Sequence, residues 1–259
     1  APGGDGAVAH ALAPYIDQPL PLDGAELARW EASGLRIVRL PMDDLATLER
    51  TLSLVGIVNR QWMGWALDWR EAFRGRSIEE GTPVVVDGLR RSLPGGALRF
   101  IVRCWTAPAA TGSVVRIELV PQLFEGVATL SRAEEIAAHA AGLPMPGFDA
   151  RSEGRLFDSL AIEASFEPGY AYVITSEAQG VSWREPEPPR PNAHVHATGV
   201  DVEPTRPSSV VIAGPPAESP PTLGEAMLSV QAFGPNDRPA RAMVILAPRA
   251  PKTYDVFAP

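Results

Sequence analysis

Two histidines one residue apart, His194-Val195-His196, carry the sharpest chemical suggestion in this sequence. In an extended strand, residues two apart project from one face, so both imidazoles could reach a single Zn²⁺ or similar transition metal. Asp201 and Glu203 follow closely enough to add a carboxylate. Metal centres use three or four protein ligands, however, so a solvated strand with two ordinary histidines is the plainer reading. His139 falls beside alanines on a predicted helix face and reads as structural, and His10 lies in an irregular lead-in.

The second suggestion is aromatic. Trp62, Trp65, Trp69 and Trp105 lie near Arg60, Arg70 and Arg103 in sequence and could build a stacking platform for sugar rings or peptide. Tryptophan is mostly buried in folded proteins, so filling the core under a sheet is the competing role and the favoured one. The carboxylates form no defensible acid–base pair. Asp43 or Asp44 is placed to cap a helix, and Glu134-Glu135 fits the first turn of another. Asp68 stands in an apolar stretch and, if buried, needs Arg60 or Arg70 as partner.

Cys104 is the single cysteine, which excludes an intrachain disulfide and a cysteine-based metal site. It sits in the apolar run Phe100 to Trp105 and reads as a buried thiol. A Gly-rich phosphate loop, a dinucleotide fingerprint, His-Glu-x-x-His, Gly-x-Ser-x-Gly and an EF-hand loop are all absent from the sequence. No residue is nominated as catalytic, and no cofactor is expected.

Composition narrows the class further. The 259 residues are 45% apolar and 21% charged, as in a folded chain, and the net charge of −8 argues against nucleic acid as a partner. All but one of the 23 basic residues are arginine, the exception being Lys252, which fits a GC-rich coding bias. No apolar run reaches the roughly 18–20 residues of a transmembrane helix. The start Ala1-Pro2-Gly3-Gly4 lacks methionine and resembles the residues left after signal-peptide cleavage, so an extracytoplasmic location, in the periplasm or at the cell surface, is expected.

The elements that would position these residues read as α+β and β-dominated. A helix is predicted from Gly24 to Ser33, then a strand from Leu35 to Leu40 stopped by Pro41. Leu45, Leu48, Leu52 and Val55 fall at helical spacing, and Gly56 ends that helix. The segment 57–73 fits either periodicity; strand is chosen, because it completes a strand–helix–strand unit. Val84-Val85-Val86 with Asp87-Gly88 predicts a strand entering a tight hairpin turn. From 97 to 106 and from 113 to 120 apolar residues alternate with a mixed Arg/Glu set, which predicts a hairpin with one packed and one partly wet face, joined by a loop from Ala107 to Gly112. Ser131 and Glu134 make a capping box for a helix ending at Gly142. Another hairpin is predicted around Glu167-Pro168-Gly169-Tyr170, with strands over 160–166 and 171–177.

Beyond residue 183 the texture changes. Residues 184–259 hold 15 of the 27 prolines, including Pro186, Pro188, Pro189 and Pro191 in what should be an extended polyproline segment. Short strands at 193–202, 208–213 and 242–247 and a helix at 223–228 interrupt this tail, whose prolines confine its strands to sheet edges. The division is therefore an irregular lead-in over 1–34, an α+β core over 35–183 and a Pro-rich arm over 184–259. Stiff arms, available edges and few catalytic residue types favour a non-catalytic structural or accessory subunit of an extracytoplasmic assembly, with other protein subunits, identical or different, as partners. An extracellular carbohydrate-binding module using the tryptophans, and a metal-dependent enzyme centred on His194 and His196, are the alternatives.

Overall fold

The chain's outer layers follow from the alternation along its longest strands. The computed structural model describes residues 4–52, 61–63, 67–109, 112–126, 149–177, 183, 219–230 and 240–250. Three helices and a strand open it: α1 (Gly4–Leu12), α2 (Gly24–Ala32), β1 (Leu35–Pro41) and α3 (Met42–Thr51). A run of strands follows: β2 (Arg70–Ile78), β3 (Pro83–Val86), β4 (Leu89–Ser92), β5 (Gly96–Ala109) and β6 (Gly112–Phe124). Then come β7 (Gly154–Leu156), β8 (Ile162–Phe166), β9 (Tyr170–Ser176), α4 (Leu223–Leu228), β10 (Ser229–Val230), β11 (Ala240–Arg241) and β12 (Val244–Leu246). The fold is β-rich, and among the described residues every strand ladder is antiparallel, beside one isolated parallel bridge between Val85 and Thr222.

One sheet has the order β2-β5-β6-β7, with β8 also pairing β6; a second has the order β1-β9-β12. Their facing sides meet in the main core. Leu98, Phe100, Val102 and Cys104 of β5 and Ile117, Leu119 and Leu123 of β6 join Leu35 and Ile37 of β1 and Tyr172 and Ile174 of β9 there. The far side of the second sheet, with Val38, Leu40, Ala171 and Val173, packs against Val8 and Leu12 of α1 and Leu48 of α3. Alternation of period 2 thus buries β9 on both faces, because each face has its own cover.

Proline explains how β6 is shared. Its residues 115–119 pair with β8 and 122–124 with β7, and Pro121 lies at the break. The Pro121 carbonyl accepts the Phe157 N–H at 3.0 Å, so the missing proline donor falls on that same side, where one partner strand hands over to the next. On the other side β5 and β6 stay in register from Ala97 opposite Phe124 to Ala109 opposite Gly112. The predicted six-residue loop is therefore mostly strand. Ala110 and Thr111, the two residues between the strands, lie outside the described residues.

Several expectations need correction. The predicted hairpin around Pro168-Gly169 is a corner between sheets: β8 pairs β6, while β9 pairs β1 and β12. Gly169 does adopt φ 90°, as a turn with Pro-Gly at its centre demands. β1 and β2 flank α3 in sequence but lie in different sheets, so they do not form a strand–helix–strand unit around a shared sheet. Of the stretch 57–73 only Arg70–Phe73 is strand among the described residues. α3 has no side-chain cap: Pro41 stands at its N-cap, and Asp43 and Asp44 occupy the first turn. There they complement the helix dipole, and Asp44 accepts a hydrogen bond from the Tyr15 hydroxyl at 3.2 Å.

α2 starts where predicted. Asp23 accepts the Glu26 N–H at 2.6 Å, and Glu26 returns a bond to the Asp23 N–H at 3.0 Å. The helix delivers Trp30 onto Phe100, with ring centroids 6.1 Å apart, and the indole N–H donates to the Leu160 carbonyl. Asp23→Ala should cost about 1 kcal/mol in denaturant unfolding, whereas Asp43→Ala should cost only a few tenths.

The helix after residue 131 and the strands at 193–202 and 208–213 lie outside the described residues. The described parts of the C-terminal region join the common core: Leu223, Ala226, Met227 and Leu228 of α4 are buried in it, and β12 forms one edge of the second sheet. Everything there converges on the end of α2. The Ser33 hydroxyl accepts the Asp87 N–H at 2.8 Å, the Ser33 carbonyl accepts the Gly224 N–H at 2.9 Å, and the Gly34 carbonyl accepts the Glu177 N–H at 2.9 Å.

At the end of β9, burial pushes the Glu177 carboxyl above the ordinary carboxylate range, opposed by the charge and hydrogen bond of Arg36. The native state therefore holds this proton more tightly than the unfolded chain does. Its contribution is greatest below the unfolded pKa and declines as pH rises through the folded one. Glu177→Gln should accordingly gain stability relative to the parent as pH rises above about 4 in guanidinium unfolding. Loss of ground with rising pH would contradict this.

Candidate functional site

The face of the first sheet that turns away from the core carries the charged residues. Period 2 places Arg99, Arg103 and Trp105 of β5 on it, opposite Gln122, Glu118 and Arg116 of β6. β8 adds Glu163 directly opposite Glu118, a like-charge pair that would repel if left alone. Two arginines resolve it. Arg103 binds both Glu118 oxygens at 2.8 and 2.7 Å, and Arg116 reaches Glu163 at 2.8 Å. The bonds from Glu118 hold the Arg103 guanidinium even more firmly protonated than usual.

Arg99 is the buried centre of this face, at 2% exposure. Its Nε donates to Gln122 Oε1 at 2.7 Å, Nη1 to Glu71 at 3.0 Å, and Nη2 to Glu153 at 2.8 Å and to the Ala150 carbonyl at 3.0 Å. Gln122 in turn donates to the Ala150 and Arg151 carbonyls. The pair clamps the 150–153 turn onto the sheet, and Phe124 lies 4.4 Å below the guanidinium. The groups it gathers are thus bonded within the protein, and the cluster holds the turn in place.

The tryptophans are divided by this arrangement. Trp69 is 7% exposed, with Arg103 and Arg151 at 5.1 and 5.4 Å from its ring, and it packs on Ile101, Val120 and Ala150. Trp105 is half-buried, 5.8 Å from Arg103. Trp62 is 72% exposed, and Leu67 on the same approach to β2 is 64% exposed. Trp65 lies outside the described residues, as do Arg60, His194, His196, Pro186, Pro188, Pro189 and Pro191. Asp68 is exposed and needs no buried partner. Among the described residues no three or more His, Cys, Asp or Glu side chains gather as a metal site, and no helix is long and apolar enough to cross a membrane.

The part that sequence reasoning passed over is the outer edge of the β3–β4 hairpin, whose turn it had placed. Asp87 (φ 52°) and Gly88 (φ 72°) form the tight turn predicted from Asp-Gly, with Val86 opposite Leu89. Val84 and Val86 of β3 enter the core, but all four residues of β4 are exposed. Val85 N–H points away from β4, to the Pro221 carbonyl at 2.9 Å. Its cross-strand partner Arg90 must then also direct N–H and C=O away from β3, and Ser92, two residues on, does the same. Among the described residues nothing pairs with that side of β4, which leaves an edge with Arg90 and Arg91 beside it and Leu89, 61% exposed, at its start. Arg-Arg next to an Asp-Gly hairpin turn was the signal available in the sequence. No protein-family model, curated protein or solved structure matches this chain.

Proposed function

We propose that this protein is a non-catalytic structural or accessory subunit of an extracytoplasmic protein assembly, such as a filament, secretion or envelope complex. The observation that carries the reading is the β4 edge, unpaired among the described residues, whose outward N–H and C=O groups at Arg90 and Ser92 are a ready template for another chain's strand. Trp62 and Leu67 support it, since exposed tryptophan is enriched among residues that dominate protein–protein contacts. The Pro-rich segment with Pro186, Pro188, Pro189 and Pro191 would lie across a neighbour with little entropy left to lose. The acidic net charge keeps nucleic acid out of the partner list.

The test is the native size of the protein in gently lysed cells of its source, by sedimentation. A particle well above 27.7 kDa is expected. Trp62→Ser with Leu67→Ser should release at least tenfold more free chain. A protein sedimenting as a lone chain at its natural concentration overturns the reading.

A further inference from the structure

Building on the assembly reading, we infer that the β4 edge receives an acidic extended segment of a different protein as a third strand of the β3–β4 ribbon. The backbone supplies the generic part of the site: N–H and C=O of Arg90 and Ser92 face outward and bond to nothing among the described residues. The side chains supply the selection. Arg90 and Arg91 project to opposite faces of a four-residue strand, both are exposed, and neither joins an ion pair among the described residues. This sets them apart from Arg36, Arg39, Arg74, Arg99, Arg103 and Arg116, which are matched to glutamates within the chain.

The same two residues disfavour a second copy as occupant. Antiparallel pairing of β4 with itself, centred on either arginine, would set that arginine opposite its own copy, and like charges across strands are unfavourable. Asp87 at the turn and Glu79 and Glu80 at the hairpin base bracket the arginines, so an incoming strand gains only with its acidic residues centred on positions 90 and 91. Leu89 offers one apolar contact beside them, next to Val86.

The probe is a fluorescent acetylated peptide, Glu-Val repeated three times, against its Lys-Val counterpart, followed by anisotropy with the whole chain. The acidic peptide should bind at about 20 mM salt, at least tenfold more weakly near 500 mM, and at least tenfold more tightly than the lysine peptide. Arg90→Glu with Arg91→Glu should reduce its affinity at least tenfold. Ser92→Pro, which keeps both arginines but removes an outward donor, should do so as well, with unfolding midpoints confirming both variants folded. If a variant does not fold, the two peptides and the salt series on the parent chain still decide. Equal binding of both peptides, no binding of the acidic one, or indifference to either folded variant overturns the inference. A large native particle alongside such a result leaves the assembly reading standing; a lone chain in the cell removes that reading whatever the peptides do.

Discussion

Gly224→Ala destabilises the protein by about 3 kcal/mol or more, because two backbones occupy the space a methyl group would need. A Cβ at position 224 would lie 1.9 Å from the Gly34 carbonyl oxygen and 2.5 Å from its carbon. Neither can swing aside as a side chain would. Retreat would also break the bond from the Gly224 N–H to the Ser33 carbonyl and unseat α4 from the core. Gly34→Ala should rival it, since Gly34 adopts φ +68° and its Cβ would fall 2.0 Å from the Thr222 hydroxyl oxygen. For a chain of this size the midpoint of thermal unfolding should drop by about 10 °C. Gly24→Ala is the control: nothing lies within 4 Å of its Cβ, and it should be neutral or mildly stabilising in the helix. A Gly224→Ala protein as stable as Gly24→Ala would mean that α4 does not seat on the end of α2.

Arg99→Met should cost about 3 kcal/mol, close in size to the glycine changes but different in kind. It removes the donors for Gln122, Glu71, Glu153 and the Ala150 carbonyl together, and strands Gln122 in a buried site. Methionine fills much of the volume, so the loss reports the polar clamp rather than a cavity. Because Glu71 and Glu153 are only partly buried, they can recover some hydration, and Glu153→Gln alone should cost under about 1 kcal/mol. Proteolysis should then cut first near the released turn at 150–153. An Arg99→Met protein with unchanged stability and unchanged cleavage would show that the clamp holds nothing.

The features legible in the sequence were those set by local rules. Alternation of period 2 through Arg99, Ile101 and Arg103 and through Arg116, Glu118 and Val120 announced a two-faced hairpin, and the two faces are there. Asp87-Gly88 announced a tight turn, and a helix was legible from Gly24 to Ser33 and a short one from Leu223 to Leu228. What stayed hidden was pairing. Pro168-Gly169 specifies a reversal of direction, but nothing local says whether the strands on either side bond to each other or to different sheets. The strands run past their expected ends at 106 and 120, through Pro108 near the end of β5 and Pro121 at the break in the partners of β6.

The charged face was visible as a pattern but not as a network. Arg99 and Arg103 are chemically alike and four residues apart, yet one is the buried clamp of a turn some 50 residues away and the other braces a cross-strand pair. Asp43-Asp44 looked like a cap because acidic residues serve both as caps and in first turns, and Pro41 settled which. Of the tryptophans, Trp69 went under Arg103 and Arg151 while Trp62 stayed out, and contacts with Arg151, some 80 residues away, leave no mark in the local pattern.

The most direct test is amide exchange, resolved to single residues, at Arg90 and Ser92 in the purified chain and in the native particle. Both N–H groups should exchange freely in the isolated protein and slow at least tenfold in the particle, while Leu89 and Arg91, whose N–H groups face β3, change little. Equal rates at Arg90 and Ser92 in the two states would contradict a strand ever docking there.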